Sequence, residues 1–146
     1  MPFEDHAKLL KQFTWQRGRW QLALPSTFGT FFSREIRLEF DPKSRSNIQG
    51  IATSKSLMDE ELAFIHSLLA SLPTVIATCE TQFTQFCDSL GDVVTQIDDP
   101  YIWIWRESFD QSENGHWTFV VQFRDSDSGV HIEFDGLTFS TIWSGG

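Results

Sequence analysis

The sequence predicts an α+β domain, an antiparallel sheet of five or six strands with an inserted pair of α-helices packed on one face. Three observations predict it. Apolar and polar residues alternate with period two in RWQLALP (19–25), SREIRLEF (33–40) and VHIEFDGLTFSTIW (130–143), the mark of half-buried strands. Between them, residues 56–91 change to helical spacing, divided by Pro73. Strands on both sides of a helical block give segregated α and β layers rather than a regular βαβ alternation. The 146 residues suit a single domain spanning 1–146. Fourteen Phe and six Trp supply the apolar bulk that disordered chains lack.

In chain order, a short helix is expected around Glu4 to Gln12. In the first strand, Trp20, Leu22 and Leu24 face one way and Arg19, Gln21 and Ala23 the other, until Pro25 stops it. In the second, Ile36, Leu38 and Phe40 oppose Arg37 and Glu39, and Asp41-Pro42 ends the run. The polar stretch KSRSNIQGIATSK (43–55) reads as a loop. A helix is expected over 56–72. Ser56 and Asp59 form a start resembling a capping box. Asp59, Glu60 and Glu61 lie in the first turn, where the helix dipole favours acids. Leu62, Ile65, Leu69 and Leu72 form its apolar stripe. Pro73 ends that helix and opens the next, which carries Ile76, Cys79, Phe83, Phe86 and Leu90 before Gly91. YIWIWRESF (101–109) begins apolar on both faces, as a central strand does. DQSENG (110–115) reads as a turn. WTFVVQFR (117–124) places Trp117, Phe119, Val121 and Phe123 on one side. After DSDSG, the tail returns as one long strand or two, kinked near Gly136.

Charge narrows the function classes. Residues 1–55 hold nine Lys/Arg against five Asp/Glu, whereas residues 56–146 hold two against fifteen, within a net charge of −9. No Lys or Arg lies between Lys55 and Arg106. Such a chain lacks the basic stripe that nucleic acid requires. It suits a basic protein partner, steered by charge; the plainer reading is that the charge only maintains solubility. No run approaches the roughly 18 apolar residues of a membrane span, and the N-terminal MPFEDHAKLLKQF lacks a signal peptide's apolar centre. A cytoplasmic chain, bacterial in style, is expected. Cys79 and Cys87, eight residues apart on one helix, are about 12 Å apart along its axis, too far for a disulfide. Buried free thiols fit a reducing compartment.

The candidate site residues are few. His131, Glu133 and Asp135 share one strand face at i, i+2 and i+4. Their side chains start roughly 7 Å apart along the strand, so a metal would need steep convergence. The opposite phase of Val130, Ile132 and Phe134 already accounts for the alternation, which makes a solvated sheet face the simpler reading. The competing one is a small metal-dependent hydrolase using this face. DSDSG resembles the start of a calcium loop but lacks the later ligands and the closing Glu. The glycines in RGR and FGT mark turns, not phosphate loops. Neither cysteine has a cationic neighbour in sequence to activate it. His66 reads as a boundary residue and His116 as an exposed one beside a turn. Tyr101, Trp103 and Trp105 share one face and Ile102 and Ile104 the other; the aromatic set either packs in the core or, if open, supplies contact anchors. No cofactor is called for.

REIRLEF with its polar loop, the helix pair in DEELAFIHSLLASLPTVIATCETQF, and the ending WTFVVQFRDSDSGVHIEFDGLTFSTIW together resemble bacterial proteins of unknown function grouped with toxin-immunity-type families. The tail carries most of the likeness, in the form W-x-F-x-V, then G-x-H-x-E-F-x-G-L, then I-W. The three pieces cover most of residues 33 to 143. The resemblance implies an α+β fold and, for relatives found beside toxins, inhibition by direct binding; it transfers no catalytic residue. The expectation is a non-enzymatic binding module, immunity-like, that neutralises a basic protein through Asp59, Glu60 and Glu61 at the first helix of the pair, through Glu133 and Asp135 beside His131, or through Trp103 and Trp105. A structural homodimer built on the aromatic face is the third reading.

Overall fold

The computed structural model describes residues 6–42, 56–90, 97–107, 114–124 and 127–145. Helix α1 (His6–Gln12) leads into a hairpin of β1 (Thr14–Gln16) and β2 (Arg19–Ala23), closed by Arg17 and Gly18 at φ 53° and 79°. A 3-10 turn at Ser26–Phe28 follows, then β3 (Arg37–Asp41). The helix pair is α2 (Asp59–Ala70) and α3 (Leu72–Leu90), bent by 70° at their junction. The chain finishes with β4 (Tyr101–Trp105), β5 (His116–Gln122), β6 (Gly129–Asp135) and β7 (Thr138–Gly145). The seven strands form one sheet in sequence order.

Two features correct the expected sheet. It has seven described strands, not five or six: three-residue β1 is too short to show alternation, and the tail is two strands. These fold back at Gly136, whose φ of 61° suits glycine, with a register shift between Glu133 and Phe134. The sheet is also mixed, because β3 pairs with β4 in parallel while every other neighbouring pair is antiparallel. The helix pair is the cause. It carries the chain back along the sheet, so the next strand enters from the same end, which a parallel pair requires.

The alternations are realised as read. Leu22, Leu38, Phe40, Ile102, Ile104, Trp117, Phe119, Val121, Val130, Ile132 and Phe134 are buried in one core with Leu62, Ile65, Leu69, Leu72, Ile76, Cys79 and Phe83 of the helices. Phe31 joins the layers, its ring 5.5 Å from Phe83 and 5.1 Å from Phe119. Trp117 stacks on Phe134 at 4.4 Å and donates its indole N–H to Gly136 O at 2.6 Å, so the largest buried ring leaves no unmet donor. At Gly129 a Cβ would lie 2.6 Å from Val121 O, so the β5–β6 approach requires glycine there. Both cysteines are free and buried. Burial, reinforced by Glu80, pushes the Cys79 thiol well above its ordinary range.

The starts of the elements differ in detail. Helix α2 begins at Asp59, and its capping carboxylate is Glu61, which accepts the Met58 N–H at 2.8 Å; the pairing expected between Ser56 and Asp59 is displaced by two residues. Strand β3 begins at Arg37, and residues 33–36 precede it. Glu4, Asp5, the 43–55 loop, most of the 110–115 turn and part of DSDSG lie outside the described residues. No single described helix is long and apolar enough to cross a membrane.

Candidate binding face

The phase that buries Leu38, Ile102 and Ile132 against the helices sends their neighbours to the other side of the sheet. Register aligns these neighbours across strands. Gln21 pairs with Glu39, Glu39 with Trp103, Trp103 with Thr118, Thr118 with Glu133, and Glu133 with Thr141. The adjacent row runs from Arg37 through Tyr101, Val120 and His131 to Trp143. Tyr101, Trp103, Trp105, His116, His131 and Glu133 are half-buried and Trp143 is exposed. Thr118 and Val120 form a low floor between these taller side chains.

At the β2–β3 end, Glu39 is a buried carboxylate held by two guanidiniums. Arg19 Nη1 donates to its Oε1 at 3.0 Å and Arg37 Nε to its Oε2 at 2.7 Å. Each guanidinium also covers an aromatic ring: Arg37 lies 4.6 Å from the Tyr101 centroid and Arg19 5.1 Å from that of Trp103. Burial first, and then the Glu39 charge, raise the Tyr101 phenol above its ordinary value against the opposing pull of Arg19 and Arg37, so it remains protonated. Beside this group opens a cavity of about 620 Å³ lined by Gln16, Arg17, Arg19, Gln21, Arg37, Glu39, Tyr101 and Gln122.

Aromatic rings continue from there. Trp103 and Trp105 lie 4.7 Å apart, and Trp105 meets His116 edge-on at 5.6 Å. His116 Nε2 is 2.6 Å from Glu133 Oε1, while the Trp143 indole N–H donates to Glu133 Oε2. Trp143 in turn stacks on His131 at 4.0 Å, nearly parallel. The face therefore has an arginine end on β1–β3, an aromatic middle and an acidic end on β6. Arg19 and Glu133 are four strand spacings apart, about 19 Å.

The expected site residues divide between two layers. Trp103, Trp105, His131, Glu133 and Asp135 share the face that is helix-free among the described residues. His131 and Glu133 are engaged with Trp143 and His116 rather than arranged as ligands, and among the described residues no three His, Cys, Asp or Glu side chains are grouped to hold a metal. Asp59 and Glu60 are exposed on α2, across the sheet from Glu133. Glu61 is not on the acidic surface as expected. It is 1% exposed and bidentate to Arg106, at 2.8 Å from both Nε and Nη2. Arg106 also donates to Ser56 O at 2.7 Å and Pro42 O at 3.3 Å. A first-turn position that serves as a cap can point inward when a cation waits there, and spacing alone does not reveal the cation.

Spacing placed Tyr101 with Trp103 and Trp105 but did not single out Arg19, Arg37, Glu39, His116 or Trp143 as members of this face. A signal was present in R-L-E at 37–39, two opposite charges on one strand face, where an ion pair forms without a second strand. Comparison of the chain with known protein families, with curated proteins and with solved structures found no match.

Proposed function

We propose that the chain is a non-enzymatic protein-binding module, immunity-like in mode, whose contact surface is the helix-free face of the sheet. The observation that carries this reading is the pair of aromatic groups on that face, Tyr101, Trp103 and Trp105 on β4 and Trp143 stacked on His131 at β6–β7, left half-buried or exposed and flanked by opposite charges. Such rings lose little side-chain freedom on binding and anchor interfaces when a partner dries them. The acidic end, Glu133 and Asp135, meets the basic surface of the partner. His116, Glu133 and Trp143 hold one another in place, which suits a pre-organised recognition surface.

The test is capture of partners from native cytosol by the parent chain, by Trp105→Ala with Trp143→Ala, and by Glu60→Lys on the helix side. A partner held by the parent and Glu60→Lys but lost by the tryptophan variant supports the face. Equal recovery of that partner by all three sinks it. Sizing chromatography at several concentrations shows whether a second copy of the chain takes that surface instead.

A further inference from the structure

We infer that the cavity bounded by Arg17, Arg19, Arg37 and Tyr101 is a binding site for a carboxylate-bearing polar group. The inference rests on the reading of the helix-free face as the contact surface and names the chemistry accepted at one end of it. Three guanidiniums line the cavity against Glu39, with Asp41 as a second carboxylate 3.8 Å from Arg19 Nε behind it, which leaves a local excess of one positive charge in a chain of net charge −9. Glu39 does not quench this excess; it aims it. By accepting Arg37 Nε and Arg19 Nη1, it leaves both Arg37 Nη groups and Arg19 Nη2 without a partner among the described residues. The Arg37 Nη pair is the fork that grips a carboxylate bidentately.

The stacking of Arg37 on Tyr101 and of Arg19 on Trp103 fixes the guanidinium planes, so little side-chain freedom remains to be lost on binding. Both arginine side chains stay accessible, at 41% and 35%. Arg17 is held at the tip of the β1–β2 hairpin in a left-handed conformation, φ 53°, and its side chain makes no ion pair or hydrogen bond among the described residues. The remaining lining is three amides and a protonated phenol, donors and acceptors for the polar body of a ligand. A volume of about 620 Å³ exceeds what a bare ion needs and falls within the range of small-molecule sites. The carboxylate can come from an acidic segment of a protein partner or from a free polycarboxylate.

The experiment is an NMR titration of the isotope-labelled full chain, following the arginine Nε–H signals and the Tyr101 ring. The probes are citrate, a hexaglutamate peptide and sodium chloride at matched ionic strength. Saturable shifts of Arg37 and Tyr101 are expected with one or both carboxylate probes, with an apparent Kd at least about tenfold weaker in Arg37→Gln and in Arg17→Gln. Arg17→Gln removes no ion pair and guards against a folding defect. Lys11→Gln on α1 should bind as the parent does. Saturation by the peptide alone assigns the carboxylate to a protein partner, and by citrate alone to a free small molecule. Shifts that merely follow ionic strength, or that are unchanged in both arginine variants, overturn the site. If that happens while partner capture still depends on Trp105 and Trp143, the pocket fails and the binding face stands.

Discussion

Glu61 does two things with one carboxylate: it closes the start of α2 through the Met58 N–H and neutralises the buried Arg106. Removing either partner strands a charge away from water. Arg106→Ala or Glu61→Ala should therefore cost about 3–5 kcal/mol, measured by equilibrium urea unfolding; a loss within the error of the parent value would mean that water reaches the pair. Two other groups link stability to alkaline pH. Burial raises the Cys79 thiol above its ordinary 9.0 and the Tyr101 phenol above its ordinary 10.0. The folded chain keeps these protons where the unfolded chain releases them, so the unfolded state binds fewer protons and stability falls as pH rises. The contribution is fully present below 9.0 and declines above it, first through Cys79 and then through Tyr101. Unfolding midpoints between about pH 8 and about pH 10.5 should drop in the parent, and Cys79→Ala should flatten the earlier part of the drop. A flat profile for the parent would show that water reaches both groups.

The elements differ in how much of themselves they write into the sequence. An apolar stripe at helical spacing states which side of a helix is buried, and the phases of Leu62, Ile65 and Leu69, and of Ile76, Cys79 and Phe83, match the buried side found. Truncation there leaves a cavity as well as losing contact. Leu69→Ala and Phe83→Ala should each lower stability by about 2–5 kcal/mol, and melting within a degree of the parent would contradict the packing. Strand alternation is equally local, which is why the two faces of β2, β3, β4 and β6 were legible. Pairing is not local. That β3 lies parallel to β4 depends on where the helix pair returns the chain. That Arg19 shares Glu39 with Arg37 depends on the β2–β3 register, which no spacing along one strand encodes. The candidate site was legible only as disconnected halves, Trp103 with Trp105 and His131 with Glu133 and Asp135. Their union through His116 and Trp143 is a property of the assembled sheet.

Across the whole molecule, the sheet separates acids that look like one population in the sequence. Asp59 and Glu60 belong to the helix layer, while Glu133 and Asp135 lie on the opposite side. Layers pack about 10 Å apart, and the screening length at physiological salt is about 8 Å, so a partner docked on the helix-free face feels the β6 acids and hardly those of α2. Association with a basic partner should therefore slow when Asp135 is changed to Lys and remain within error for Glu60→Lys. The parent's rate should fall steeply as salt is raised, since charge steers encounter more than it holds the complex. Neither reversal should shift stability by more than about 1 kcal/mol, because both positions are exposed. Stopped-flow association with the captured partner at low and physiological salt reads the two variant rates and the parent's salt dependence, and urea unfolding reads the stabilities. If Glu60→Lys slows association as much as Asp135→Lys does, the partner approaches the helix layer or senses only net charge, and the helix-free face loses its claim as the docking surface.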